Sequence, residues 1–424
     1  MNVPFAARSL FIAVALASLA GCEVSAGDQP DVDVSGPREV DAANEVDVGE
    51  IGEPDVDATI EPDTTSDDAG ADADTATPRD FGPPVRAALA ASLQGVLDAN
   101  FARVNAAAVA IGVRLPDGSW WEGASGEACY EPATAVAVGD RFRLGSITKT
   151  WVAAAVLQLV DEGRVDLDGP VDDYVAGFDL GPEVTVRRCL SHTTGIFDLT
   201  DDVLSVEADF TQPIEPGEIV RQSLAHGPDF APGTDWEYSN TNYFLLGMLL
   251  QQVTGEPLAQ VLRERLIAPL GLRDTFLEQA EPATTTFICG NVGPYDVTHL
   301  IDLSFAWAAG AMVSSNGDLC RWADALWRGA VVPTALRDEM EAPTVLPDGR
   351  SFGYGLGTMI RNRAGLTVVG HNGQTLGFQS ELFIDPASGL CVSVLANDFE
   401  ASPSVVGTAA WELLVPALGL TYPP

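Results

Sequence analysis

A break in composition near residue 83 constrains this chain more than any other feature. Residues 23–80 carry 19 Asp and Glu against two Arg, a net charge of −17. Pro, Gly, Ser and Thr fill the gaps, and "PDVDV", "NEVDV" and "EPDVDA" recur loosely. Such a segment has too little apolar surface to offset its ordering entropy, and its charges repel one another. Residues 22–83 are therefore expected to form a disordered acidic tether, spanning on the order of 200 Å if fully stretched. Whatever packs must lie in residues 84–424, which are rich in Ala, Val and Leu. That length supports a large core with more than one lobe.

Ahead of the tether, Arg8 precedes an apolar run from Leu10 to Ala20, and small residues lead to Cys22. The run is about half of what a bilayer span needs, so residues 1–21 read as an export signal. Its end, "LAGC", resembles a bacterial lipoprotein signal. That resemblance implies a lipid on Cys22, holding the protein on a membrane of the bacterial cell envelope, periplasmic or outer-membrane side. The net charge of −39 disfavours nucleic acid as a partner. A small-molecule or peptide substrate and a monomeric state are expected instead. Five further cysteines, Cys129, Cys189, Cys289, Cys320 and Cys391, match no zinc spacing. Export permits disulfides, but the pairing stays open, and no metal site is expected.

Along residues 84–424, helical spacing covers 84–104, and "AAAVAIGVRL", "PDG" and "SWWEGASG" read as a hairpin. A short strand, "DRFRLG", leads into a helix that is apolar at Trp151, Val152, Ala155, Val156, Leu159 and Val160 and stops near Gly163. Residues 165–299 read as short helices and loops. Beyond 300, "GYGLGTMI", "LTVVGHNG", "FQSELFID" and "LCVSVLAND" read as antiparallel strands, followed by a helix at about 404–416. The expected fold is α+β: an antiparallel sheet flanked by N- and C-terminal helices, plus an inserted all-helical lobe. The sheet lobe comprises about 84–164 and 300–424, and the helical lobe about 165–299.

One residue points to chemistry. Lys149, in "FRLGSITKTW", is the only lysine among 22 basic residues. Arginine stays protonated under any ordinary condition, whereas a lysine amine can be neutralised by burial and then accept a proton. Lys149 is expected at the edge of the apolar helix stripe, with Ser146 one turn earlier, a nucleophile beside its base. Two more short motifs carry suitable groups. "WEYSNTNYF" offers the phenol of Tyr238 for proton transfer and the donor–acceptor pair of Asn240. "VVGHNGQTLGF" puts His371, Asn372 and Gly373 on a strand whose backbone can lie against a ligand.

In the order Ser-x-x-Lys, Tyr-Ser-Asn, His-x-Gly, the three motifs resemble those of the serine penicillin-recognising family: class C β-lactamases, D-alanyl-D-alanine carboxypeptidases and related esterases. "TVRRCLSHTTGI", "AGAMVSSNGDL" and "YGLG" share the likeness, which spans roughly 85–400. The resemblance implies the DD-peptidase/β-lactamase fold, no cofactor, and an acyl-enzyme on Ser146 with Lys149 as base. It also implies Tyr238 as proton relay, Asn240 bridging Lys149 and a substrate amide, and His371 setting the charge beside Tyr238. The backbone N–H groups of Ser146 and Gln374 would hold the oxyanion. His192, in "SHTTG", is expected to be a buried, satisfied histidine, and no Gly-x-Ser-x-Gly elbow exists to make it part of a triad.

Two departures bear on the substrate. Asn372 stands where the family commonly has Thr or Ser. Met359 stands where carboxypeptidases of this type have a carboxylate-binding arginine, with Arg361 sharing its strand face as a possible substitute. The leading expectation is a D-alanyl-D-alanine carboxypeptidase acting on peptidoglycan stem peptides. An esterase or β-lactamase on the same scaffold is the alternative, and a non-catalytic wall-peptide binder stands third.

Overall fold

The computed structural model describes residues 82–200, 209–278, 280, 288–329 and 331–420. The expected signal peptide, Cys22 and all but the last residues of the tether lie outside them. Among the described residues no helix is long and apolar enough to cross a membrane.

The first helix, α1 (Ala87–Val104), ends where Asn105 takes a left-handed conformation, φ 61°, a turn that asparagine tolerates well. The hairpin follows as β1 (Ala108–Arg114) and β2 (Trp120–Tyr130), with Val109 opposite Ser125. A short β3 (Ala133–Ala135) continues it. Helices α2 (Thr148–Asp161), α3 (Thr241–Thr254) and α4 (Asn316–Trp327) lie in the middle of the chain. The C-terminal part adds β4 (Met359–Arg363), β5 (Leu366–Thr375), β6 (Phe378–Ile384), β7 (Cys391–Ala396) and helix α5 (Ser404–Ala417).

All seven strands form one sheet, ordered β4-β5-β6-β7-β1-β2-β3, with every pair antiparallel. The chain's last strand therefore lies beside its first, Leu395 opposite Ala110. All six residues of β7 are buried, so this strand shows none of the apolar–polar alternation of a one-faced sheet. On one face Val109, Ile111, Val113, Val392 and Val394 pack with Leu93 and Leu97 of α1 and with Trp411 and Leu414 of α5. The other face carries α4. A Cβ added at Gly112 would lie 2.8 Å from the Cβ of Asn316, so glycine is what lets α4 approach the sheet.

"DRFRLG" forms the expected short strand, Phe142–Arg143, which pairs with Met312–Ser314. Two expectations need correction. Phe276–Leu277 also joins Met312–Ser314, so the inserted region is not all helical. In "GYGLGTMI" only Met359 and Ile360 belong to a strand. The preceding glycines form a turn, and Gly357 (φ +73°) lies so close to α2 that a Cβ there would stand 2.5 Å from that of Ala153. The sheet and the helical region also share one hydrophobic core, which runs from Ile384 and Leu395 to Leu245 and Leu249.

Cys129, at the end of β2, is bonded to Cys289 across 160 residues of chain. Cys189, Cys320 and Cys391 are buried thiols, with the sulfurs of Cys320 and Cys391 3.1 Å apart. A cross-link closing so long a loop restricts the unfolded chain. The double substitution Cys129→Ser, Cys289→Ser is expected to lower the unfolding free energy by about 2–4 kcal/mol in denaturant titrations. Unchanged stability would contradict this role for the bridge.

Candidate active site

The serine turn is built by close packing of glycines. Arg143, 1% exposed, gives Glu278 two hydrogen bonds of 2.7 and 2.6 Å and donates a third to the Thr298 carbonyl. This bidentate pair holds the strand just ahead of the turn. Gly145 then takes φ +52°, and a Cβ there would stand 2.5 Å from the Gln374 carbonyl oxygen and 2.6 Å from the Gln374 nitrogen. From the other side, a Cβ on Gly373 would lie 1.9 Å from the Leu144 oxygen and 2.8 Å from the Ser146 nitrogen. Two glycines thus bring the backbone nitrogens of Ser146 and Gln374 to the same place. The Ser380 hydroxyl donates to the Leu144 carbonyl at 2.7 Å and ties β6 to the turn.

Ser146 lies in the short turn Gly145–Ile147, and α2 begins at Thr148. Every residue from Thr148 to Leu157 is buried, and Trp151 stacks on Trp322 at 4.6 Å. A helix covered on all sides is a core helix rather than an amphipathic one. Lys149 is therefore not at the edge of a stripe: it is fully buried, 0% exposed.

The Lys149 amine lies 3.0 Å from Ser146 Oγ, 2.6 Å from Asn240 Oδ1 and 2.8 Å from the Ala309 carbonyl oxygen. Asn240 stands at the start of α3, yet its side chain does not cap that helix. Its Nδ2 donates instead to Asp198 Oδ2 at 2.9 Å and to Thr200 Oγ1 at 2.8 Å, while its backbone N–H donates to Asp198 Oδ2 at 2.8 Å. Asp198 Oδ1 in turn accepts from the backbone N–H and the hydroxyl of Thr200. This network assigns the amide orientation, since the flipped form would set an oxygen against a carboxylate. Burial raises the Asp198 carboxyl above its ordinary range, against the bonds from Asn240 and Thr200 and the nearby Lys149 charge. Both hydrogens of the Asn240 amide are committed inward. Its oxygen meets Lys149 as expected, and a bridge to a substrate amide would use that oxygen's second lone pair.

Aromatic rings wall the amine. Lys149 Nζ lies 4.8 Å from the Tyr238 ring centroid and 5.3 Å from that of Tyr243. His371 packs 6.2 Å from Tyr238, centroid to centroid. Its Nε2 accepts from the Tyr354 hydroxyl at 3.1 Å, and its Nδ1 donates to the Asn372 carbonyl. Burial, helped by Lys149, pushes the imidazole down to about 3. His371 is thus neutral, and it supplies no positive charge to Tyr238. His192 is buried as expected, its Nδ1 accepting the Ser239 N–H at 3.1 Å. Burial and Lys149 hold it well below the usual imidazole range. Its Nε2 has no partner among the described residues, so it is only half satisfied. The ring lies 4.2 Å from that of Tyr238 and helps to fix it.

The substrate-facing candidates divide. Gly373 adjoins Ser146, and Asn372 is exposed on β5, opposite Glu381. Arg361 does not behave as expected. It pairs across the sheet with Val368, which belongs to the α1/α5 side of the core, whereas His371 shares its face with Val369 on the other side. Two of its bonds go to the Gly353 and Ile360 carbonyls. It is near enough to weigh against a charge on His371, but it is not presented as a carboxylate clamp. Asp198, Thr200, Ala309 and Tyr354 are the groups that motif reading missed. Ala309 and Tyr354 stand inside stretches noted for other reasons, and the Ala309 contact is a backbone carbonyl that no side-chain pattern reveals.

The Beta-lactamase family model matches residues 93–416. Penicillin-binding protein 4 of Amycolatopsis lactamdurans is 30% identical over 309 residues, covering 66% of this chain and 78% of that protein. A D-aminopeptidase of Gluconobacter oxydans is 26% identical over 67% of this chain, which spans only 53% of its length. Among solved structures, a D-stereospecific amidohydrolase from Streptomyces sp. superposes with TM-score 0.66 and 32% identity, covering 76% of this chain and 98% of that one. The D-amino acid amidase of Ochrobactrum anthropi SV3 does so with TM-score 0.69 and 28% identity, over 79% of this chain and 100% of that one. With a buried amine beside Ser146, on a seven-stranded antiparallel sheet, and with the family model matched over residues 93–416, the chain belongs to the beta-lactamase family, as a serine hydrolase.

Proposed function

We propose that the protein is an amidase or peptidase that cleaves D-residue-containing amides and peptides through an acyl-enzyme on Ser146. The observation that carries this reading is the 3.0 Å contact between the Ser146 hydroxyl and a wholly buried amine. Two of that amine's partners, Asn240 Oδ1 and the Ala309 oxygen, can only accept. With two N–H bonds given to them, a neutral Lys149 keeps a lone pair for Ser146.

Lys149 takes the hydroxyl proton as Ser146 Oγ attacks the carbonyl carbon. The N–H groups of Ser146 and Gln374, aligned by the two glycines, hold the oxyanion. The proton then passes, by way of Tyr238, to the departing amine nitrogen as the C–N bond breaks. Water reverses the sequence and frees the acid. Relatives described as a D-aminopeptidase and a D-amino acid amidase support D-stereospecific donors. A D-alanyl-D-alanine carboxypeptidase is the finer alternative. It would need a cation for the terminal carboxylate, and the orientation of Arg361 weighs against it. A lipid on Cys22 and the acidic tether would hold the catalytic domain at the cell envelope.

Four substrates separate the possibilities for the full-length protein: a D-amino acid amide, its L-enantiomer, an acylated D-Ala-D-Ala peptide and a short-chain aryl ester. Release of ammonia from the D-amide, with the L-amide spared, is the expected outcome. Release of D-alanine alone favours the carboxypeptidase, and cleavage of the ester alone contradicts amidase action. Lys149→Arg, which keeps the charge but cannot become a base, is expected to lower kcat/KM by about 10²–10⁴-fold. Gly373→Ala, forced against Leu144 and the Ser146 nitrogen, is expected to lower kcat by about 10²-fold. Wild-type rates in either variant would refute the role given to that residue.

A further inference from the structure

We propose that Asp198 is the positioning residue of this site, orienting the Asn240 amide so that its oxygen faces Lys149 while serving as the buried counter-charge of that amine. The inference rests on the proposed acyl-enzyme reading, but its geometry is independent of any substrate. One carboxylate oxygen, Asp198 Oδ2, receives both the backbone N–H and the side-chain N–H of Asn240 at 2.8 and 2.9 Å. The other, Oδ1, holds Thr200 at 3.0 and 2.8 Å, and Thr200 Oγ1 takes the second amide hydrogen of Asn240 at 2.8 Å. The Asn240 amide is held on three sides, and only its oxygen is left for the amine.

The consequence is electrostatic as well as geometric. Among the described residues, the groups facing the Lys149 amine include Asn240 Oδ1, the Ala309 oxygen, Ser146 Oγ and the rings of Tyr238 and Tyr243. Both nearby imidazoles, His192 and His371, are held in the neutral form by burial and by Lys149 itself. Asp198 is a buried acid whose charge acts on that of Lys149. An opposite charge in a dry interior favours the ammonium form, so removing it makes the amine give up its proton at lower pH. The carboxylate thus balances two demands. It places the acceptor that steers Lys149 towards Ser146, and it keeps the amine basic enough to take the serine proton and later return it.

Because Lys149 is the only lysine, selective ¹³C-lysine labelling of the full-length protein gives one side-chain NMR signal, whose titration reads the amine directly. In Asp198→Asn the titration midpoint is expected to move to lower pH, the acid limb of kcat/KM to move with it, and kcat/KM to fall by about 10²-fold. Asp198→Glu, which keeps the charge on a longer arm, is expected to restore the midpoint more fully than the rate. Thr200→Val keeps the charge but removes one acceptor of the Asn240 amide, and a several-fold loss in kcat with an unmoved midpoint is expected. A folded Asp198→Asn protein with the wild-type Lys149 midpoint overturns the counter-charge, whether or not the wild type acylates. An unchanged kcat in Thr200→Val overturns the orienting network, and that variant decides if Asp198→Asn does not fold. A wild type that never acylates Ser146 sinks the proposed function, while the lysine titration still decides this inference.

Discussion

The site depends on a single buried amine held by three separate parts of the chain. Lys149 comes from the core helix, Asn240 from the start of a second helix, and Ala309 from the segment before the small strand Met312–Ser314. A lysine taken wholly out of water is costly unless its hydrogen bonds are made. Here Asn240 Oδ1 and the Ala309 oxygen accept from it, and two aromatic faces lie over it. The same dryness that makes the amine expensive to bury also makes it useful, because proton transfer to Ser146 then competes with little bulk water.

The scaffold holds this arrangement by close approach of backbone. Gly145 and Gly373 bring a sheet strand against the serine turn with no room for a side chain between them. The buried pair Arg143–Glu278 fixes the approach to the turn from the other side. Such a pair is weak evidence for stability, since removing two charges from water offsets much of their attraction. Its geometry, two parallel bonds of a planar guanidinium, is better suited to fixing direction, and direction is what the turn requires.

Much of this was legible in the sequence. Strands at both ends of the domain, the hairpin at "PDG" and the final helix lie where alternation and turn residues put them, because those signals are local. The lone lysine pointed to the base, and the motif order pointed to the partners. What escaped has a common cause. The burial of α2 on all sides, the pairing of Met312–Ser314 with two short strands, the inward turn of Asn240 and the neutral state of His371 each depend on neighbours distant in the chain. Arg361 shows the limit of strand-face reasoning. It does share a face with Met359, as period-two spacing requires, but which face of the sheet meets the cleft is decided by the packing of α1 and α5.

The most direct test of the nucleophile follows from the chain's own composition. Trypsin cuts after Arg143 and Lys149, so Ser146 falls in the peptide Leu144–Lys149, whose C-terminal residue is the only lysine of the protein. Treating the full-length protein with a penicillin or a fluorophosphonate and mapping the digest by mass spectrometry locates the acylated or phosphonylated side chain. One equivalent of adduct is expected on that peptide, lost in Ser146→Ala. An adduct on another peptide, or labelling that survives the Ser146→Ala substitution, would contradict Ser146 as the nucleophile.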